Sequence, residues 1–378
     1  MIGANTKQEC GTFGAAGTRR SFLKAGLAAG AGGALAAPAL AKAHEVIRWT
    51  MASSWPRGAP GVGVNAERLA DKIMAMSDHR IQIQFFSGGE LVPPLGVFDA
   101  VIDGTVDVAH TTPHYAVDRD QALHFFTGVP FGLTALEHAA WLRFGGAQAL
   151  WDRAYEPFGL KPFYAGSSGP QASGWFRNEI NSLDDLQGLK MRIAGLGGEV
   201  MRRVGVTPVL LPPAEIMPAL QDGSIDAAEW IGPWNDMAFG LFQAASHYYM
   251  PAFHEMGPAL ELIVNKQAYD GLPDDLKAIV SEASMAAAME TTLDFTYHNI
   301  ISLRPLIEDH DVNVHTMPQD IIDALAREAA PVLQEVADSS PIAGETFASF
   351  QAFRAQANRY AQVSDLAALR MRAAALEG

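Results

Sequence analysis

The sequence predicts an α/β protein of two lobes, and three observations carry that reading. Its 378 residues exceed the ~250 to 300 at which a single core stops growing. Past a leader-like start it opens as strand, helix, strand. An eleven-residue motif then occurs twice without a gap, as Val101–Thr111 (VIDGTVDVAHT) and Leu220–Trp230 (LQDGSIDAAEW). The copies are identical at Asp103/Asp222, Gly104/Gly223, Asp107/Asp226 and Ala109/Ala228. Each reads as a helix end, a glycine turn and a strand starting at its second aspartate.

Residues 1–43 stand apart from the fold. Thr18-Arg-Arg-Ser-Phe-Leu-Lys24 leads into a weakly apolar Ala/Gly/Leu run that ends at Ala41-Lys-Ala43, a small-x-small cleavage pattern, and the whole resembles a twin-arginine export signal. A membrane anchor is the competing reading, but Ala25–Leu40 is only 16 residues, glycine-rich and interrupted by Pro38, against ~20 for a spanning helix. The segment holds Lys7, Arg19, Arg20, Lys24 and Lys42 against Glu9, so the remainder keeps 22 basic and 41 acidic side chains, a formal charge of −19. Nucleic acid is excluded as a partner by that charge. Cys10, the only cysteine, leaves with the segment, so no disulfide or thiol nucleophile remains. A periplasmic location follows.

After the leader, Val46–Ala52 and Ile81–Phe85 read as strands and Gly63–Met76 as the helix between them, a β-α-β unit with parallel pairing. A second unit runs from Leu189–Ile193 through a helix over Gly198–Gly205 to Pro208–Leu211. Leu272–Leu306 reads as helix from its Pro-Asp-Asp start, and a further long helix spans about Phe347 to Leu376. That terminal helix carries Phe350, Phe353, Tyr360, Leu366, Leu369 and Met371 and needs a surface to cover, on its own lobe or on a second subunit.

In open parallel sheets ligands sit beyond the carboxyl ends of strands. The two motif copies end in His110-Thr111 and Glu229-Trp230, so both pairs are expected to line one cleft. Glu229 reads either as a functional carboxylate at a strand tip or as one satisfied by solvent or a helix cap. Arg192, in the apolar strand Met191-Arg-Ile-Ala194, can hold a carboxylate through paired hydrogen bonds, or an internal partner such as Glu229. Gly195-Leu-Gly-Gly-Glu-Val200 lacks the third glycine of a dinucleotide loop and reads as a glycine turn before a helix. Gly166-Ser-Ser-Gly-Pro170 misses the nucleophile elbow and no H-E-x-x-H occurs, so the expectation is no enzyme. Gln171 and Trp175 open an interdomain strand, and the Gln171 oxygen is a neutral ligand for a hard cation.

Four blocks, Phe125–Gly132 (FFTGVPFG), Gln171–Arg177 (QASGWFR), Gly188–Gly198 (GLKMRIAGLGG) and Asp226–Trp230 (DAAEW), together resemble the extracytoplasmic solute receptors of tripartite ATP-independent periplasmic (TRAP) transporters. The likeness is to the 2-oxo-acid-binding, TakP-like branch of the DctP family. It implies a two-lobe periplasmic binding protein fold with a central cleft, interdomain strands and long helices. Lobe I would comprise 44–165 with a later part at about 252–305. Lobe II would comprise 166–251 with part of about 306–340, and 341–378 would form a dimerising C-terminal helix.

The resemblance assigns Arg192 to the ligand carboxylate and a metal ion to Gln171, Glu229 and the Trp230 carbonyl. Tyr115, Phe125, Trp175 and Trp234, with Asn235, are expected to close the cavity, although each aromatic also fits a core position. The implied ligand is a small 2-oxo or 2-hydroxy monocarboxylate, pyruvate- or lactate-like, handed to a membrane permease by a homodimer. Exported enzymes acting on such an acid, and ligand-sensing partners of signalling proteins, are the alternative readings. A ligand carboxylate, Glu229 and Arg192 sum to −1, which favours sodium over calcium slightly; a further acid such as Asp236 in the shell reverses that preference.

Overall fold

A computed structural model describes residues 46–376; the export-signal reading of 1–43 falls outside the described residues. The strands are β1 (Ile47–Ser53), β2 (Ile81–Phe86), β3 (Val108–Thr111), β4 (Leu160–Ser167), β5 (Gly174–Phe176), β6 (Lys190–Arg192), β7 (Thr207–Val209), β8 (Ala227–Ala228), β9 (His247–Tyr249), β10 (Ala259–Asn265) and β11 (Asn313–His315). They form a five-stranded sheet ordered β2-β1-β3-β10-β4 and a six-stranded sheet ordered β11-β9-β5-β8-β6-β7. The fold is therefore mixed α/β with two sheets, as the sequence predicts.

Both β-α-β units are present. β1 pairs parallel with β2 across the helix Val62–Met76, and β6 pairs parallel with β7 across the helix Gly195–Arg203. The two motif copies match atom for atom. Asp103 Oδ1 accepts Thr105 N, and Asp222 Oδ1 accepts Ser224 N, each at 2.8 Å. Gly104 and Gly223 follow in the left-handed region, at φ 76° and 82°. Asp107 Oδ2 then accepts Thr50 N at 2.7 Å, and Asp226 Oδ2 accepts Lys190 N at 2.9 Å, stitching each strand to the first strand of its unit.

The helix Asp274–Glu308, 35 residues and about 50 Å long, joins the sheets. Its first half packs Leu276, Val280 and Ala283 with the first sheet, and its second half packs Phe295 and Leu306 with the cluster around Trp175 and Trp230. Gly61, at φ 66°, sits so close to this helix that a Cβ there would lie 2.4 Å from the Phe295 ring.

Two helical expectations change. The run Gly195–Gly198 is not a loop but the first turn of a helix, because the chain needs its glycines for close approach: a Cβ on Gly197 would lie 2.6 Å from the His254 Cβ. The terminal helix starts earlier, at Pro341, and is two helices, Pro341–Val363 and Asp365–Leu376, broken at Ser364 (φ −116°, ψ −97°). Phe347 and Phe350 dock on Phe125, with ring centroids 5.5 and 5.9 Å away. No described helix is long and apolar enough to cross a membrane.

Candidate ligand-binding site

Between the two sheets, beyond the carboxyl ends of β3, β6 and β8, lies a cavity of about 400 Å³. Trp55, Thr112 and Tyr115 face it from the first sheet, Arg192, Glu229 and Trp230 from the second, and Gln171 and Glu255 from the connecting segments.

The parallel pairing of β6 with β8 creates the charged wall. Glu229 N donates to Arg192 O at 2.9 Å, so the next side chains of the two strands emerge together. Arg192 Nη1 donates to Glu229 Oε2 and to the Glu229 carbonyl, both at 2.7 Å. The residues are 1% and 2% exposed, and the guanidinium lies 5.4 Å from the centre of the Trp230 ring. Each buried ion costs several kcal/mol in desolvation, and a pair that loses one member costs about 3–5 kcal/mol. Arg192 Nε is buried at the site and has no hydrogen-bond partner among the described residues. The guanidinium thus retains donor capacity that a bound carboxylate can take.

Around this pair stand further polar groups. Glu229 Oε1 is 3.9 Å from His254 Nε2, and neither nitrogen of that buried ring has a hydrogen-bond partner among the described residues. Glu255 Oε1 is 3.2 Å from His114 Nδ1, an ion-pair distance without hydrogen-bond alignment. Burial opposes ionisation of Glu255, but the attraction of His114, His254 and Arg192 outweighs it and holds the carboxyl below its ordinary range. Tyr115 is pushed up to about 12 by burial, with Arg192 pulling the other way and Glu229 and Glu255 adding to the rise, so it presents a neutral phenol.

A hard cation is accommodated by the oxygens present. Gln171 Nε2 donates to Ser168 Oγ at 3.0 Å, which turns Oε1 away as a buried acceptor without a partner. Gln171, Glu229 and Trp230 all line the cavity. No cluster of three or more His, Cys, Asp or Glu at ligating distance exists among the described residues.

Of the residues expected from sequence, Arg192, Gln171, Glu229, Trp230 and Tyr115 meet at the cavity; Phe125, Trp175, Trp234 and Asn235 do not line it. Phe125 is core under the terminal helix. Trp175 stacks on Tyr248 at 4.1 Å and donates to Asp236 at 2.9 Å. Trp234 stacks on His298 at 4.1 Å, and Asn235 donates to the Pro60 carbonyl at 2.7 Å. Asp236 is also one layer back. It accepts from Trp175, Tyr248, Ile231 N and Gly232 N, and its carboxyl is pushed up to about 7 by burial against the pull of those donors.

Of the two strand-tip pairs, only Glu229-Trp230 faces the cavity. His110 is turned under Trp55, accepting its indole N–H at 2.7 Å, and Thr111 bonds Ser54. The acid overlooked by sequence is Glu255. Its signal was present in Pro251-Ala-Phe-His-Glu-Met-Gly-Pro258, where two titratable residues interrupt an apolar segment between prolines. His114, directly after Pro113, carried no comparable mark.

These features coincide with comparisons across known proteins. Residues 51–340 match the family model DctP, bacterial extracellular solute-binding protein, family 7. The chain belongs to this family of extracellular solute receptors, within which it is similar to several characterised members. It is 39% identical over 320 residues to the monocarboxylate 2-oxoacid-binding periplasmic protein of Nostoc sp. (strain PCC 7120), covering 85% of this chain and 87% of that one. A TRAP periplasmic solute binding protein from Pseudoalteromonas atlantica, solved with bound sodium and pyruvate, superposes with a TM-score of 0.83 at 35% identity, over 86% of this chain and 99% of that one. A TRAP solute binding protein from Bordetella bronchiseptica, a mixed occupancy dimer with copurified calcium and picolinate, gives 0.85 at 33% identity over 88% and 98%.

Proposed function

We propose that the protein is the periplasmic receptor of a TRAP transporter and captures a small 2-oxo or 2-hydroxy monocarboxylate, pyruvate- or lactate-like, for delivery to membrane permease subunits. The observation that carries this reading is the buried Arg192–Glu229 pair, which shares its cavity with the orphan oxygen of Gln171. Arg192 grips the ligand carboxylate with the N–H groups Glu229 leaves free. Gln171, Glu229 and the Trp230 carbonyl would hold a cation, which would supply positive charge for the oxygens of the acid. The Nostoc and Pseudoalteromonas relatives support the ligand class.

Residues 1–43 direct twin-arginine export in this reading, and the sheets belong to two lobes, 44–165 with 252–305 and 166–251 with 306–340, that close on the ligand. The ligand leaves unchanged, without catalysis. Two copies associate through the terminal helices, where Tyr360, Val363 and Met371 are 69%, 77% and 75% exposed; the Bordetella dimer is consistent with this.

Sodium and calcium both have support. Sodium neutralises the set of ligand carboxylate, Glu229 and Arg192, whereas the additional anion of Glu255 shifts the balance toward calcium wherever His114 is neutral. Native mass spectrometry of the purified protein is expected to give a dimer carrying one small acid and one cation per chain. Calorimetry with pyruvate after dialysis against a calcium chelator separates the ions: loss of binding restored by calcium identifies calcium, and binding that persists and rises with sodium identifies sodium. Absence of any bound or bindable 2-oxo or 2-hydroxy acid removes the reading, and conversion of pyruvate or lactate to product favours an exported enzyme.

A further inference from the structure

A second, more open crevice of about 1110 Å³ lies along the same seam between the sheets. Val117, Leu196, Val332 and Val336 give its lining an apolar part, beside the polar side chains of Glu199 and Glu335. The ligand cavity and this crevice share only two lining residues, His114 and Ala194. Ala194 contributes a single methyl group, so of the two shared residues His114 supplies the bulky side chain.

That ring is held in place. Its side chain is 9% exposed, its Nδ1 is 3.2 Å from Glu255 Oε1, and its face meets Tyr115 edge-on with centroids 4.8 Å apart. Gly195 passes behind both groups: a Cβ there would stand 3.7 Å from His114 Nδ1 and 3.9 Å from Glu255 Oε1. The seam is also close to the anchor. Ala194 follows Arg192 by two residues, at most about 7 Å along the chain.

We propose that His114 is a specificity-determining plug that limits the chain length of the ligand, by separating the ligand cavity from a roomier crevice whose apolar side chains can take an alkyl tail. The proposal rests on the reading above that Arg192 anchors a 2-oxo acid. With the plug removed the two spaces join, and each methylene entering the crevice is expected to strengthen binding about fourfold.

The test is calorimetry on the full chain with pyruvate, 2-oxobutyrate, 2-oxohexanoate and 2-oxooctanoate. Wild type is expected to bind the first two and to lose affinity with the longer acids. His114→Ala is expected to raise the affinity for 2-oxooctanoate relative to pyruvate at least tenfold. Ala194→Gly, at a helix N-cap where glycine is well tolerated, is expected to give a smaller gain in the same direction and decides the matter if His114→Ala melts early. His114→Phe refills the barrier without the Glu255 interaction and is expected to keep the short-chain profile. An unmoved length profile in the folded opening variants overturns the plug, as does a His114→Phe profile as broad as that of His114→Ala, or a wild type that holds 2-oxooctanoate as tightly as pyruvate. Wild type that binds none of the four acids overturns the receptor reading and this inference with it; pyruvate binding with an unmoved profile overturns the plug alone.

Discussion

The two copies of the repeated motif occupy equivalent places in the two sheets and do opposite things. In the first, Ala52 is the register partner of Ala109; in the second, Arg192 is the partner of Ala228. The first copy ends in His110 and Thr111, neutral groups whose Nδ1 and hydroxyl bond Trp55 and Ser54 on the same side of the molecule. The second ends in Glu229, paired with Arg192 and facing the cavity. One backbone design therefore serves as a packed wall on one side and a charged wall on the other. The motif sets where a strand tip lies; its last two residues and the facing strand decide whether that tip packs or binds.

The comparison is broken most severely at Arg192. Arg192→Met is expected to abolish pyruvate binding in calorimetry and to destabilise the protein by about 3–5 kcal/mol in denaturant unfolding, because Glu229 is left buried without its counter-charge. Unchanged affinity would mean that the ligand is held elsewhere. Glu229→Gln is expected to weaken pyruvate binding at least tenfold, about 1.4 kcal/mol, and to lower the cation occupancy seen by native mass spectrometry; full occupancy would take Glu229 out of the ion's shell.

At the equivalent first-copy position the effect should be on stability instead. His110→Leu is expected to cost about 1–3 kcal/mol by leaving Trp55 Nε1 unpaired, with pyruvate affinity changed far less than in Glu229→Gln. Its pH dependence is also specified. Burial pushes the His110 pKa down to about 3 from 6.5, so the unfolded chain takes up this proton first, and stability is lost as pH falls below about 6.5 until both states are protonated near pH 3. The stability advantage of wild type over His110→Leu should therefore shrink across that window; a constant difference would show that His110 is not held neutral. The smallest effect sharpens the equivalence itself. Asp107→Ala and Asp226→Ala each remove one carboxylate that accepts a strand N–H, and each should cost about 1 kcal/mol in thermal or denaturant unfolding. A large inequality between them would mean that the copies are not structurally interchangeable.

Much of this was legible along the chain. The alternating Ile81-Gln-Ile-Gln-Phe85, the helical spacing of Gly63–Met76 and the repeated Asp-Gly turns report their own conformations, because strand period, helix period and left-handed glycine are local properties. Arg192 and Glu229 could be read because they are polar groups where periodicity predicts apolar ones, whereas Gln171 drew its role from the family resemblance. Phe125, Trp175 and Trp234 were misplaced because an aromatic in a core and an aromatic on a cavity wall have the same local signature.

By itself the sequence determined two parallel β-α-β units, the equivalence of their strand tips and the presence of an arginine and a glutamate at one of them. Only the tertiary structure decided that these two groups pair, that Glu255 and His114 join them from distant segments, that His110 turns inward, and that His114 lines two cavities. The reason is physical: backbone conformation follows from neighbours along the chain, whereas burial, charge pairing and the shape of empty space depend on which segments the folded chain brings together.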